Sequence, residues 1–187
     1  MSSKKKTAII EAAIALAAEQ GWDKTTLGEI ARACETDLAT LHDLFEDKSD
    51  ILTAFGRMID RKVLENTEIE EGAPPRDTLF DLIMDRFEAL NDYRAGVTAI
   101  LKSFKCDPKD AIVCAPSLCR SMSWMLESAG INTNGIKGML KVSALSALYL
   151  KTARIWMTDE SPDLSKTMAE LDKNLVMGEK WAGRLGL

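Results

Sequence analysis

Residues 9–55 read IIEAAIALAAEQGWDKTTLGEIARACETDLATLHDLFEDKSDILTAF, and the spacing of apolar side chains along them decides the fold. Ile9, Ile10, Ala13, Leu16 and Ala17 recur at helical intervals, which predicts a first helix from about Lys4 to Gln20. It stops at Gly21, a residue suited to the left-handed conformation past a helix end. Thr25 or Thr26 caps a short second helix, with Glu29 three residues after Thr26 as a capping box requires, and Leu27, Ile30 and Ala31 on one face. Glu35-Thr36-Asp37 makes a brief turn, and Asp37 caps a third helix carrying Leu38, Leu41 and Phe45. Asp47 caps a fourth from Lys48 to about Glu65, with Ile51, Leu52, Phe55, Ile59 and Val63 inward.

Outward from this stretch, Asn66 to Arg76 combines acidic residues, Gly72 and the Pro74-Pro75 pair, so a linker divides the chain into residues 1–65 and 77–187. Helical periodicity then predicts helices at about 77–91, 94–105, 108–129, 133–158 and 162–183. Pro108 and Pro162 suit first-turn positions, Gly130 follows a helix end, and Pro116 should kink or split its helix. The fold class is all-α, with about nine helices in a small head and a larger body. The whole chain agrees: 187 residues, 46% hydrophobic, 28% charged, only 6% aromatic, with five Pro and eleven Gly. That composition provides for a core and disfavours both disorder and a sandwich of short strands.

Cysteine and histidine usage narrows the chemistry. Cys34, Cys106, Cys114 and Cys119 form no C-x-x-C pair, and His42 is the single histidine, so neither a structural zinc site nor a nucleophile–base set is visible. The thiols are expected to be buried and reduced. No glycine-rich phosphate loop occurs. The reading is a binding protein without cofactor or metal, not an enzyme. MSSKKK followed by an apolar run resembles a signal peptide only superficially, because Glu11 and Glu19 interrupt it, and no stretch approaches the ~20 apolar residues of a membrane span. The expected location is cytoplasmic.

Two short helices joined by a three-to-four-residue turn form the outline of a helix-turn-helix, although an αα-corner of this kind also serves as plain packing. The order amphipathic helix, aromatic after Gly, Thr-Thr, Ile-Ala, turn, Thr-Leu, Phe, and Lys before a Leu-rich helix resembles the amino-terminal pattern of the TetR family of regulators. The resemblance covers about a quarter of the chain. It implies a DNA operator as partner, with Leu38 to Phe45 as recognition helix. It implies DNA contacts from Thr25, Thr26, Thr40, His42 and Lys48, together with Asp37, Leu38 and Ala39 at the start of that helix. It also implies a homodimer formed by the last two helices. The chain departs from the pattern at Glu35 in place of a turn Gly, Leu38 in place of Lys, His42 in place of Tyr, and Asp43-Leu44 after it. Residues 23–55 contain eight acids and three bases, a net −5 that equals the formal charge of the entire chain. Only Lys4, Lys5 and Lys6 could offset this, so DNA binding is expected to be weak or confined to low salt.

The segment Leu140 to Lys173, with Leu145, Tyr149, Thr152, Trp156, Asp159, Ser161, Thr167 and Asp172, also resembles the carboxy-terminal pattern of ubiquinone-biosynthesis accessory proteins. Those are lipid-binding proteins on a TetR-like fold, an alternative with little or no DNA binding. In the body, Phe80, Met84, Phe87, Phe104, Met122, Met125, Tyr149 and Trp156 are the candidate lining of a ligand pocket. Ionisable residues at body-facing positions are few, which points to a small apolar or lipid-like ligand. Leu164, Met168, Leu171 and Leu175 form an apolar stripe on the last helix and are the candidate dimer residues.

Overall fold

The computed structural model describes residues 2–68, 72–104 and 108–185; Cys106 and part of the expected linker lie outside them. Among the described residues the chain forms nine helices and no strand: α1 (Ser2–Gln20), α2 (Leu27–Ala33), α3 (Leu38–Leu44), α4 (Lys48–Asn66), α5 (Pro75–Asn91), α6 (Arg94–Ser103), α7 (Pro108–Ser128), α8 (Gly135–Trp156) and α9 (Ser165–Leu185). They form two compact units. The first comprises Met1–Met58 and Leu90–Ser117, and the second Ile59–Ala89 and Leu118–Leu187, so α4 and α7 each contribute to both.

In the first unit, Ile9, Ile10, Ala13, Ile14 and Ala17 make the buried face of α1, with Trp22, Ile30, Ala31, Leu41, Phe45, Ile51, Phe55 and Ile100 also buried. Side chains of this size are each worth about 1.5–3 kcal/mol when removed from water. The backbones of α1 and α6 approach closely at Gly96, where an added Cβ would lie 2.3 Å from the carbonyl oxygen of Ile14. No other residue fits there without moving a helix. The Tyr93 and Phe55 rings pack in a T-shaped arrangement at a centroid distance of 5.2 Å.

In the second unit the buried residues include Leu82, Ile83, Phe87, Met122, Met125, Tyr149, Trp156, Leu164 and Leu171. Helices α8 and α9 are tied by polar contacts as well: Asn174 Nδ2 donates to Thr152 Oγ1 at 3.1 Å, and Lys151 Nζ donates to Asn174 Oδ1 at 2.7 Å. Lys151 also pairs with Glu170 at 2.9 Å.

Three expectations need correction. Pro162 is not in the first turn of a helix: α9 begins at Ser165, because Leu164 adopts a left-handed backbone (φ 54°) that no helix accommodates. The entry to α9 is fixed by Asp159 instead, whose carboxylate accepts from the N–H and O–H of both Ser161 and Thr167. Pro116 does not split α7, which runs unbroken from Pro108 to Ser128. Pro116 and Ile112 both lie on its exposed side, where a carbonyl deprived of its partner meets water. Finally, Cys34, Cys114 and Cys119 are free thiols but only half-buried. Burial, with Asp110 and Asp47 nearby, still pushes the Cys114 thiol up to about 11, which keeps it protonated and unreactive.

Candidate nucleic-acid interface

The local geometry of the α2–α3 pair follows from three caps. The Thr26 hydroxyl oxygen accepts from Glu29 N at 3.3 Å while the Glu29 carboxylate accepts from Thr26 N at 2.9 Å, completing the capping box. The same carboxylate accepts from the Thr26 hydroxyl, and this bond is the largest cause of its lowered pKa. At the other end, α2 closes in a Schellman motif: Thr36 N donates to Ala31 O at 2.9 Å and Glu35 N to Arg32 O at 3.1 Å. Glu35 stands at the left-handed position of that motif with φ 51°. The Asp37 carboxylate then accepts from Thr40 N at 2.7 Å and starts α3, a bond that lowers its pKa, with Lys5 adding a smaller effect.

This frame turns Leu41 and Phe45 inward and leaves Leu38, Ala39, His42 and Asp43 exposed on one side of α3, with Thr40 half-buried. Leu38, a large apolar side chain, is 56% exposed. Lys4, Lys5 and Lys6 are exposed on the first turns of α1, and the Lys6 ammonium lies 5.6 Å from the Phe45 ring centroid. Lysines 5 and 6 therefore border α3. Neither Asp43 nor Glu46 has a cationic partner among the described residues, so the acidic character of this face is not cancelled internally.

Two of the sequence-predicted contacts are placed differently from the rest. Thr25 is buried, and its hydroxyl donates to Gly21 O at 2.9 Å. Lys48 is turned into the protein. Its ammonium donates to Trp22 O at 2.6 Å and Thr25 O at 2.8 Å and lies 4.5 Å from the centroid of the Trp22 ring. Burial lowers its pKa, although Asp110 and Asp23 oppose this. The Trp22 indole N–H donates in turn to Asp110 at 3.3 Å. Lys48 thus braces the loop before α2, and its hydrogen-bonding capacity is mostly spent there.

The candidate ligand residues are equally informative. Met84, Phe87, Met122, Met125, Tyr149 and Trp156 are all buried; Phe80 is half-buried, and Phe104 belongs to the first unit. The Phe87 ring stacks on Tyr149 at 5.0 Å and lies 5.9 Å from Trp156, so these rings fill space against one another. Beside them sits a buried polar cluster that sequence reasoning missed. Arg86 Nε donates to Asp60 Oδ1 at 3.1 Å, Arg86 Nη1 to the Tyr149 hydroxyl at 2.9 Å, and Ser121 Oγ to Asp60 Oδ2 at 2.5 Å. The body interior is therefore not purely apolar. An open groove of about 300 Å³ is lined by Lys62, Val63, Asn66, Asp85, Glu88 and Ala89, none of them among the expected lining.

Of the candidate dimer residues, Leu164 just before α9 and Leu171 and Leu175 on it are buried within the single chain, and Met168, at 41%, is exposed. The inward stripe covers the core of its own protomer. The outward apolar row lies on α8, where Ile136, Met139, Leu140 and Leu150 are exposed alongside the small residues Ser143, Ala144 and Ala147. No helix among the described residues is long and apolar enough to cross a membrane.

Comparison with known proteins agrees with this architecture. Residues 9–55 match the family model of bacterial regulatory proteins, tetR family. No curated protein matches the chain. Among solved structures, a TetR transcriptional regulator from Nitrosomonas europaea is 24% identical with a TM-score of 0.73, covering 93% of this chain and 97% of its own. A TetR transcriptional regulator from Rhodococcus is 20% identical with a TM-score of 0.65, over 94% and 98% of the two chains. FadR of Thermus thermophilus, a TetR-family repressor solved in complex with lauroyl-CoA, is 22% identical with a TM-score of 0.60 over 92% of both. The capped α2–α3 pair lies inside the matched segment, and the similarity of fold extends over nearly the whole length: the chain has the fold of these solved TetR regulators, and the sequence match to the family model spans its residues 9–55.

Proposed function

We propose that the protein is a homodimeric, cytoplasmic transcriptional regulator that docks α3 in the major groove of an operator and answers to a small ligand in its body. The observation that carries this reading is the exposed face of α3, held by a capping box, a Schellman turn and an Asp37 cap within the segment that matches the family model. A surface row of Leu38, Ala39, His42 and Asp43 has no packing role inside the chain, whereas a groove-entering helix needs such a row.

Electrostatics sets the conditions. With Lys48 turned inward, the cations that border α3 are those of α1, and binding rests on few phosphate contacts. Dimerisation is assigned to the outward face of α8, where exposed apolar side chains flank small residues that permit close backbone approach. The acyl-CoA complex of one structural neighbour supports an acyl-type ligand for the body, and the Arg86–Asp60–Tyr149 cluster would give such a ligand polar as well as apolar partners.

Fluorescence anisotropy against random duplex and against the region upstream of the protein's own gene, at about 50 mM salt where ionic contacts are strongest, tests the reading. Saturable binding that weakens steeply with added salt is expected, from a species of twice the chain mass by light scattering. A monomer that retains neither duplex would refute it.

A further inference from the structure

The outward face of α3 contains chemistry that restricts which bases it can meet, an inference that rests on the DNA-binding reading above. Leu38 and Ala39 are exposed and apolar, and Asp43, one turn after Ala39 and on its side of the helix, is exposed with no hydrogen bond or ion pair among the described residues. A carboxylate only accepts hydrogen bonds. In the major groove, guanine offers N7 and O6 and thymine offers O4, all acceptors, so both repel Asp43. Cytosine offers the N4 amine without an adjoining acceptor, whereas adenine sets N7 beside its amine. Leu38 and Ala39 have one apolar counterpart on the base edges of that groove, the thymine methyl. Asp43 follows Ala39 by four residues, on the same face and about 6 Å along the helix, or roughly two base-pair steps.

We propose that α3 reads a cytosine through Asp43 and a neighbouring thymine through Ala39, with Leu38 at the edge of that contact, so the operator half-site is a T/C element from which guanine and thymine are excluded opposite Asp43. The acidic residue thereby acts as a filter. It weakens binding to every duplex through phosphate repulsion, and recovers affinity only where a lone amine faces it.

The experiment is selection from a pool of random duplexes at about 50 mM salt by the full-length wild type and by Asp43→Asn, followed by sequencing and titration of the enriched duplexes. Asp43 is exposed and makes no internal contact among the described residues, so the variant should fold, which circular dichroism verifies. Wild type should enrich cytosine at one half-site position, and placing guanine there should weaken binding by about 5- to 150-fold, the usual range for one mismatched pair. Asp43→Asn should move that position to adenine, which an amide pairs bidentately. Replacing the neighbouring thymine by deoxyuridine should cost wild type about fourfold, the worth of one buried methyl group. Enrichment of the same half-site by both proteins, or indifference to the missing methyl, overturns the inference while leaving DNA binding intact. Failure of the wild type to enrich any sequence removes the DNA-binding reading and this inference with it.

Discussion

Replacing Glu35 by Gly should make the protein more stable, since the exposed Glu35 side chain makes no hydrogen bond or ion pair among the described residues. Glu35 occupies the left-handed position of the Schellman turn that ends α2, with φ 51°. An L-residue there suffers a clash between Cβ and the carbonyl that costs about 1–2 kcal/mol. Glycine removes the clash but has more freedom to lose on folding, about 0.5–1 kcal/mol. The difference leaves a net gain of about 0.5–1 kcal/mol, which for a domain of this size raises Tm by about 1–4 °C. The chain supplies its own control. At the end of α7 the same motif recurs, with Ile131 N donating to Leu126 O and Gly130 N to Glu127 O, and there the left-handed position is Gly130 with φ 75°. Gly130→Ala should therefore lose about what Glu35→Gly gains. Urea unfolding followed by circular dichroism measures both, and Glu35→Ala separates the loss of charge from the change of backbone. If Glu35→Gly were no more stable than Glu35→Ala, the strain attributed to this turn would not exist.

Four further outcomes are expected. Lys48→Met should destabilise the protein by about 1.5–3 kcal/mol through loss of two hydrogen bonds from a charged donor, yet leave the slope of log affinity against log salt unchanged. Lys5→Gln should do the reverse, lowering that slope by about one with little effect on unfolding. Asp60→Asn or Arg86→Met breaks a buried ion pair and should cost about 3–5 kcal/mol in denaturant titration, whereas replacing both partners together should cost less than the two singles combined. Acid should act partly through Asp159, which burial pushes up but the Ser161 and Thr167 hydrogen bonds depress much further, well below the usual carboxylate range. A depressed carboxyl contributes stability above its unfolded pKa of about 4 and loses it progressively as pH falls toward the folded value. Asp159→Asn should therefore be less stable than wild type at neutral pH and flatter below pH 4, as read from Tm.

Local features were legible and long-range ones were not. Thr26 with Glu29, Asp37 and Asp47 announced three helix starts because each cap lies within three residues of the group it satisfies. The start of α9 was misplaced because its cap, Asp159, reaches eight residues forward to Thr167 across a left-handed Leu164. Leu38, Ala39 and His42 came from the resemblance to the TetR pattern, whereas the inward turn of Lys48 had no local signal, since its carbonyl partners lie 23 and 26 residues away. Likewise Leu164, Leu171 and Leu175 were visible as a stripe. Periodicity alone does not say whether a stripe covers its own core or a partner's. Arg86 finds Asp60 and Tyr149 at separations of 26 and 63 residues, distances at which sequence pattern is silent.

The packing of Trp22 has a spectroscopic consequence. Of the four tryptophans, Trp22 and Trp156 are sealed from water while Trp124 and Trp181 are more than half exposed. Trp22 is the single indole of the first compact unit, and the other three belong to the second. With Trp124 and Trp181 replaced by Phe, the remaining emission comes from one shielded fluorophore per unit, and the one beside Lys48 reports directly on the loop that presents α2 and α3.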